Sequence, residues 1–379
     1  MLRCSCLTPR IRIACYSKMS STPGPMCRKF VPVEQSEVTS ISKDAGFKFR
    51  LVSYNILAQA YVKSSYFPHS PPPSLKWKAR SQAILTVLKS LEADFLCLQE
   101  VDEYETFYKK NMESLGYASI HVQRGGRKRD GCGIFYKQNN AELVIEEKID
   151  YNDLVELIED ETNSSVDNSD KKLIVAGTKE ESKAENEVER GDPNDPRVRL
   201  KRDCVGTMAA FRLKSPSCHH IIIANTHLYW DPEWADVKIA QAKYLLSRLS
   251  GFQKLVSEKF DCSPSVIVAG DFNSVPGDQV YRYLISGTNV VGPETADEVP
   301  KIPLSSVYAF TRGEPEFTNC TPGFTDTLDY IFFSPSRDIK PVSYLDLPEA
   351  ESSDVSGGLP NYFHPSDHLP IGAEFEVEA

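Results

Sequence analysis

The chain has 379 residues, 41% of them hydrophobic and 25% charged, which is enough for one large globular domain or two ordinary ones. Its net charge is −10, which argues against a protein that grips long stretches of nucleic-acid backbone but not against a compact site for an anionic substrate. No segment approaches eighteen consecutive apolar residues, so no transmembrane helix is predicted. The ten cysteines include no C-x-x-C pair, which argues against zinc and favours a reducing compartment.

The N-terminal segment differs in composition from the rest of the chain. Its first 33 residues contain no Asp or Glu and carry six Lys or Arg among Ser, Thr, Cys and Pro. This composition is typical of an organellar transit peptide, and a disordered tail without a targeting role is the alternative. We therefore predict that residues 1–46 are a disordered segment. The expected compartment is a mitochondrion or chloroplast in the first case, and the nucleus or cytoplasm in the second.

The periodicity of apolar residues predicts an α/β fold over residues 47–379. Apolar runs predict strands at 47–57, 94–101, 131–137, 204–213, 219–228, 265–274, 327–334 and 366–377. Apolar residues at helical spacing predict helices at 77–93, 237–249 and 278–286. Residues 146–195 are rich in Glu, Asp, Ser, Asn and Lys, which predicts a mobile acidic insertion. Strands in this rhythm favour two packed sheets with helices outside.

Polar side chains recur at the ends of these apolar strands, and they are Asn55, Glu100, His227, Asp271, Asn273, Asp329, Asp367 and His368. One such residue is usually a turn former or a helix cap. A repeated set of carboxylates and amides suits magnesium or manganese, and imidazole suits a phosphoryl oxygen. No Ser-His-Asp order or nucleophilic cysteine context is evident, so metal-assisted attack by water is the predicted chemistry.

The segments that carry these residues resemble the exonuclease–endonuclease–phosphatase superfamily: SYNIL, LCLQEV, RDGCGIFYK, NTHLYWDPEWADVKIAQ, VAGDFNS, FTN, LDYIFF and SDHLPI. They are most similar to the carbon catabolite repressor type deadenylases and their relatives nocturnin and Angel. The resemblance covers about residues 47–377, apart from the acidic insertion. It implies a two-sheet α/β sandwich of the deoxyribonuclease I-like type with its active site at one end.

The resemblance also implies an activity. It is that of a magnesium-dependent 3′→5′ exoribonuclease that acts on an RNA 3′ poly(A) tail and releases 5′-AMP. The alternative keeps the same site and changes the substrate, as in a nocturnin-like dinucleotide 2′-phosphatase or an Angel-like RNA 3′-end phosphatase. A protein that binds RNA without catalysis would be expected to have lost one or more metal positions, and every expected position is filled.

The metal side of the site follows from the resemblance. It implies that Glu100 ligates Mg²⁺, with Mn²⁺ as the alternative ion, and that Asn55 steadies the metal or a phosphate oxygen. Asp271 would orient or deprotonate the attacking water and contact a second metal. Asp367 would be either a metal ligand or the partner that orients His368.

The resemblance assigns the phosphate side of the site to two histidines. His227 and His368 would hold the phosphate, and Asp329 would fix the tautomer of an imidazole. Asn273 would donate to the oxygen on which charge develops.

Three further residues match the adenine pocket of such deadenylases: Pro232, Asn319 and Phe324. Phe324 would stack on the base, a contact worth about 1–3 kcal/mol. A packed loop aromatic is the alternative for Phe324, and a plain turn former is the alternative for Pro232.

The sequence departs from the yeast-type deadenylase in one respect. The yeast-type enzyme carries leucine-rich repeats that dock a scaffold complex, and we expect no such module before the nuclease region here, so association with a deadenylase complex would need another route. A basic run, RGGRKRD at residues 124–130, precedes a predicted strand beside the expected cleft. It would either contact phosphate or form a solvated loop.

Overall fold

The computed structural model describes residues 23–34, 46–156, 192, 194–214, 218–286, 302–336 and 338–378. Its strands are β1 (Phe30–Pro32), β2 (Phe47–Asn55), β3 (Phe95–Gln99), β4 (Tyr117–Gln123), β5 (Gly131–Lys137), β6 (Ala141–Asp150), β7 (Val205–Leu213), β8 (His220–His227), β9 (Ser265–Asp271), β10 (Ser305–Ser306), β11 (Asn319–Thr321), β12 (Phe324–Asp326), β13 (Asp329–Phe333), β14 (Ile339–Leu345) and β15 (Ile371–Val377). Its α-helices are α1 (Trp77–Ser90), α2 (Lys109–Glu113), α3 (Pro196–Leu200), α4 (Ala235–Phe260), α5 (Gln279–Ile285) and α6 (Val307–Thr311).

Two mixed sheets form the centre of the fold. The first has seven strands in the order β1-β14-β15-β2-β3-β5-β4, and the second has six in the order β10-β13-β9-β8-β7-β6. Strands β2 and β3 run parallel in the first sheet, as do β8 and β9 in the second. Strands β11 and β12 form a separate hairpin.

Successive side chains along each strand point to opposite faces of its sheet, so each sheet packs on the other sheet with one face and on helices with the other. The result is a sandwich of four layers. In β9, Ile267 and Ala269 face the core between the sheets, whereas Val266 and Val268 pack with Leu245 of α4. The outer face of the first sheet packs in the same way against α1. The fold is therefore a two-sheet α/β sandwich, as the sequence predicts. Among the described residues, no helix is both long and apolar enough to cross a membrane.

Several element boundaries differ from the predicted ones. Strand β1 lies inside the segment predicted as disordered, where Val31 pairs with Tyr344 of β14. Strand β6 continues to Asp150, inside the predicted acidic insertion, because its alternating residues pair with β7. Residues 157–191 of that insertion lie outside the described part of the chain, as do residues 1–22.

Helix α4 is longer than predicted at its C-terminal end. It passes through Gly251 and ends at Phe260, although glycine usually weakens a helix interior. Phe252 and Val256 continue the buried stripe beyond Gly251, and their packing outweighs that local preference.

Candidate active site

The predicted site residues meet at one edge of the sandwich. In the first sheet the last residue of β2, Asn55, is paired with Gln99, immediately before Glu100. In the second sheet the last residues of the parallel strands, His227 and Asp271, are paired with each other. Since parallel strands end at the same edge of a sheet, each sheet presents its polar residues there.

Asp271 is the centre of this group. Its Oδ2 atom accepts a hydrogen bond from Asn55 Nδ2 at 3.0 Å and lies 3.5 Å from His227 Nε2 and 3.7 Å from His368 Nε2. The same Asn55 amide donates to Glu100 Oε1 at 3.2 Å, so one side chain links the carboxylates of the two sheets. The predicted convergence of these residues is therefore present in the folded chain.

His368 is fixed by a buried carboxylate. Its Nδ1 donates to Asp329 Oδ2 at 2.7 Å, and Thr318 Oγ1 donates to the same oxygen at 2.6 Å. Although burial opposes the charged imidazole, the carboxylates of Asp329 and Asp271 hold the pKa of His368 well above its usual range. This geometry directs Nε2 towards Asp271 and favours the charged form of the His368 imidazole.

Glu100 is held between the two loops that follow β2 and β3. Its Oε2 accepts from the Ala58 backbone N–H at 2.9 Å. Burial raises the pKa of the Glu100 carboxyl, the charge of His227 opposes the rise, and Asp367 and Asp130 add to it. Asp367 follows Ser366, whose hydroxyl donates to the Asn55 carbonyl at 2.7 Å, and Asp367 Oδ1 lies 3.4 Å from the same Ser366 Oγ.

A second arrangement of ligand atoms is also present. Asp271, Asp329 and His368 each offer one atom within 4.8 Å of the others. Asp329 Oδ2 already accepts two hydrogen bonds, and its buried Oδ1 has no hydrogen-bond partner. This trio differs from the predicted metal set of Glu100, Asp271 and Asp367, because it includes the carboxylate that orients the imidazole.

The backbone is strained at two of these positions. Glu100 has φ 58° and Asn273 has φ 48°, a left-handed conformation that non-glycine residues seldom adopt. Before Asp271 the chain needs glycine, because Gly270 has φ 149° and an added Cβ would lie 2.1 Å from the Thr226 carbonyl oxygen. Strain of this kind is typical of residues whose side-chain direction matters more than local stability.

The side-chain amide of Asn273, predicted to donate to a substrate oxygen, already makes a hydrogen bond within the protein. Asn273 Nδ2 donates to the Leu228 carbonyl at 3.0 Å, and its backbone N–H donates to Asp271 Oδ1 at 2.9 Å. An amide nitrogen carries two protons, so one remains for a substrate oxygen.

Two of the three predicted base-pocket residues lie on the β11–β12 hairpin, and the third lies in the loop after β8. Asn319 begins the β11–β12 hairpin and forms an isolated antiparallel bridge with His368. Phe324 begins the second strand of that hairpin and is 44% exposed, so it is not a packed loop aromatic. Pro232 is exposed in the loop between β8 and α4.

Comparison with known proteins identifies the family. Residues 52–368 match the Endonuclease/Exonuclease/phosphatase family. The chain belongs to this family. Carbon catabolite repressor protein 4 homolog 4 of Arabidopsis thaliana is 63% identical over 334 residues, which is 88% of this chain and 78% of that protein.

Other members of the Endonuclease/Exonuclease/phosphatase family are more distant. The CCR4-Not complex 3′-5′-exoribonuclease subunit Ccr4 of Schizosaccharomyces pombe is 28% identical over 93% of this chain and 52% of its own length. The chain therefore spans about half of that fungal relative. The predicted kinship with deadenylases, nocturnin and Angel is confirmed at the level of the family.

Two solved structures of family members share the fold. The 2′,3′-cyclic phosphatase ANGEL2, solved with adenosine-2′,3′-vanadate, has a TM-score of 0.68 and 27% identity, covering 94% of this chain and all of that one (100%). The human Nocturnin catalytic domain, solved with sulfate, has a TM-score of 0.58 and 25% identity, covering 92% and 97% of the two chains.

A buried polar network lies directly beneath the site of this family member. Gln99 Nε2 donates to Asn225 Oδ1 at 2.7 Å and to Ser53 Oγ at 3.1 Å, which joins the two sheets. Asn225 Nδ2 donates to the carbonyls of Leu98 and Gly133 at 2.9 Å each. These side chains precede the site residues on the same strands, so they fix how the two sheets face each other. Sequence reasoning missed them because each stands inside an apolar run.

Sequence reasoning also missed Arg80 of α1. Its guanidinium is fully buried and donates to the carbonyls of Ile56, Leu57 and Pro365 at 2.7, 2.6 and 2.8 Å. These acceptors lie in the loops that carry Asn55 on one side and Asp367 and His368 on the other. A sequence signal existed, because Arg80 stands on the side of α1 that also carries the apolar residues four and five positions later.

Proposed function

We propose that the chain is a divalent-cation-dependent 3′→5′ exoribonuclease that shortens RNA 3′ poly(A) and releases 5′-AMP. The observation that carries this proposal is the convergence of Asp271 with two imidazoles and with Glu100 of the other sheet. The names of the fungal relatives, which are 3′-5′-exoribonuclease subunits, support the direction and the substrate class.

The donor set fits a hard divalent cation. Carboxylate oxygens of Glu100 and Asp271 share one amide nitrogen of Asn55, and the Asn55 carbonyl accepts from Ser366, the residue before Asp367. Burial raises the pKa of Glu100, so the ionised carboxylate is disfavoured in the chain alone, and a cation would offset this cost. Glu100 and Asp271 would hold Mg²⁺ or Mn²⁺, with Asp367 as a further oxygen donor. When bound, the cation supplies charge neutralisation of the phosphate and activation of water.

Protein side chains would bind the phosphate, activate the water and stabilise the developing charge. Cationic His368 would donate through Nε2 to a phosphate oxygen, and Asp329 keeps its imidazole in that orientation. His227 would contact the same phosphate from the other side of Asp271. Asp271 would orient the attacking water and accept its proton, and Asn273 would donate to the oxygen on which charge develops.

The preference for adenylate is proposed from the loops around this centre. The exposed ring of Phe324 is free to stack on a base, and Asn319 on the same hairpin is held next to His368 by the backbone bridge. Pro232, in the loop that follows His227, would close the opposite side of the base.

A second candidate function has one observation in its favour. ANGEL2, with a TM-score of 0.68, is a 2′,3′-cyclic phosphatase solved with adenosine-2′,3′-vanadate. In that case the chain would hydrolyse a phosphate at the 3′ end of RNA and leave the chain length unchanged. A nocturnin-like action on a dinucleotide phosphate is the further variant.

Product analysis separates these candidates. The purified chain would be incubated with Mg²⁺ and three 5′-labelled substrates. The first is an RNA ending in twenty adenylates, the second is a mixed-sequence RNA of equal length, and the third is the mixed-sequence RNA ending in a 2′,3′-cyclic phosphate. The proposal expects a ladder of shortened poly(A) and 5′-AMP, with the mixed-sequence RNA degraded more slowly. Equal degradation of both RNAs would remove the poly(A) preference. Loss of the cyclic phosphate without shortening would establish the second candidate instead.

A further inference from the structure

The loop of residues 124–130, here called the basic loop, is firmly anchored in the folded chain. It joins β4 to β5, and its ends are tied by the Arg124 N–H, which donates to the Asp130 carbonyl at 2.9 Å. The buried Asp130 carboxylate accepts from Tyr61 Oη at 2.5 Å and pairs with Arg124 at 3.4 Å. These contacts hold the two ends of the basic loop in a fixed position on the protein surface.

The tip of the basic loop presents cations near the segment that carries Glu100, because the Val101 N–H donates to the Gly131 carbonyl at 3.0 Å. Arg127 and Arg129 are exposed, and Lys128 Nζ lies 5.6 Å from the centre of the Tyr61 ring. Tyr61 closes the helical turn that follows Ala58, whose N–H donates to Glu100. The basic loop therefore borders the site on the side of the first sheet.

The base of the basic loop continues into a second cluster of cations and aromatic rings. Arg124 Nε donates to the Asp203 carbonyl at 3.0 Å, and its Nη2 donates to the Arg202 carbonyl at 3.2 Å. The guanidinium of Arg202 stacks on the Trp234 ring at 4.0 Å and on the Tyr229 ring at 5.3 Å. Arg202 is buried, so these contacts tie the base of the basic loop to the segment that follows His227 from beneath the surface.

The segment that follows His227 also carries an exposed indole, that of Trp230. Trp230 is 64% exposed, and its ring centre lies 6.1 Å from that of Tyr229. The segment is fixed on both sides, because Tyr229 N–H donates to Gln241 Oε1 and the Leu228 carbonyl accepts from Asn273. A large ring held in solvent three residues after a catalytic histidine is an available stacking surface.

We infer that the basic loop and Trp230 form one binding track for the single-stranded RNA that precedes the nucleotide being removed. Cationic side chains of the basic loop would contact backbone phosphates, and the Trp230 indole would stack on a base. The chain has a net charge of −10 and a site rich in carboxylates, so such a track would counter repulsion of the RNA close to the site. The inference rests on the proposed function and adds that the substrate is a chain of several nucleotides.

The test measures binding without catalysis. The full chain in EDTA and low salt would be titrated into fluorescein-labelled A15, and fluorescence anisotropy would give the Kd over a series of salt concentrations. The double variant Arg127→Glu with Arg129→Glu should raise Kd at least tenfold. It should also lower the slope of log Kd against log salt by about 0.7 for each phosphate that the loop no longer neutralises. Trp230→Ala should raise Kd about 5- to 150-fold without changing that slope.

A matched control has the same change of charge elsewhere. Lys254→Glu with Lys259→Glu lies on the exposed side of α4 near its C-terminal end, which precedes the start of β9 and so lies away from the catalytic edge. This variant should bind A15 within about threefold of the unmodified chain, as expected for charges outside the track. Thermal unfolding of each variant shows whether its fold is intact.

The outcomes of this test are separable from those of the proposed function. Absence of A15 binding, or an equal change in Kd for the loop and control variants, would overturn the track. Weaker binding in the loop variants of a chain that leaves poly(A) uncut would support the track and remove the exonuclease proposal. Turnover provides a second measure, since kcat/KM for A15 should exceed that for the dinucleotide ApA, and only the A15 value should fall in the loop variants.

Discussion

Replacing Arg80 with methionine should weaken both the fold and the site. The side chain makes four hydrogen bonds, three to backbone carbonyls and one to Gln59 Oε1 at 2.9 Å, and its charge is fully buried. Methionine keeps most of the volume but leaves these acceptors without donors. Hydrogen bonds to a charged group contribute about 1.5–3 kcal/mol each, and removing the buried guanidinium recovers part of its own desolvation cost.

The net effect of Arg80→Met should be a decrease of about 3–5 kcal/mol in the free energy of unfolding, because each buried acceptor left without a donor costs about 1–3 kcal/mol and the lost desolvation cost of the guanidinium offsets part of the sum. At about 2 °C per kcal/mol for a chain of this size, Tm should fall by about 6–10 °C. Activity should fall even where the variant is folded, because Arg80 ties the loop after Asn55 to the segment before Asp367. Circular dichroism melts and turnover at about 15 °C, well below the expected Tm, measure the two effects.

Lys78→Met is the matched control, since Lys78 is an exposed cation two residues earlier on the same helix. An exposed substitution of this kind should change stability by no more than about 0.5 kcal/mol. If Arg80→Met melts within about 1–2 °C of Lys78→Met and keeps its turnover, the reasoning about buried anchoring is wrong.

Three further predictions follow from local geometry. Asp329→Asn should lower kcat about 10³- to 10⁴-fold with little change in KM, because the amide no longer holds His368 cationic and oriented. Gly251→Ala should stabilise the chain by about 0.5–1 kcal/mol, since an added Cβ meets open space in a helix, whereas Gly270→Ala should destabilise it strongly because its Cβ would overlap a backbone oxygen. His364→Gln should reduce the loss of stability on acidification, because burial lowers the pKa of His364 in the folded chain. The neutral form is favoured in the fold, so this loss begins as pH falls below about 6.5 and is complete at the folded pKa.

Each of these predictions has a result that would contradict it. For Asp329→Asn, an unchanged kcat would show that the imidazole needs no carboxylate. For the glycine pair, chemical denaturation should give shifts of opposite sign, and shifts of the same sign would refute the backbone argument. For His364→Gln, melts at about pH 7.5 and about pH 5.5, on either side of the ordinary imidazole pKa, should differ less than in the unmodified chain. An equal difference would mean that this imidazole does not contribute.

The sequence predicts the catalytic edge well because strand ends are local features. Apolar runs that end in Asn55, Glu100, His227 and Asp271 mark both the strands and their polar termini, and parallel pairing brings the termini together. The resemblance to a known family then orders these residues into roles that a periodicity argument cannot supply.

Other features depended on tertiary contacts that no local pattern contains. Strand β1 is three residues long and includes Pro32, so it is a strand only because β14 offers an edge for pairing. Strand β14 itself contains Pro341 and a register shift, which hides its alternation. The Gln99–Asn225 bridge joins residues 126 positions apart, and a sequence does not show which buried amide will meet which.

The most direct test of the central claim is the rate of Mg²⁺-dependent 5′-AMP release from poly(A) by Glu100→Gln, compared with the unmodified chain and with the exposed control Glu113→Gln. Glu100 comes from one sheet and Asp271 from the other, so the substitution tests whether both sheets build one hydrolytic centre. Glu100→Gln should lose about 10²- to 10³-fold in rate, a typical cost of removing one electrostatic group from a catalytic site, while its unfolding curve and the rate of Glu113→Gln stay close to those of the unmodified chain. A folded Glu100→Gln protein that releases 5′-AMP at an undiminished rate would contradict the central claim.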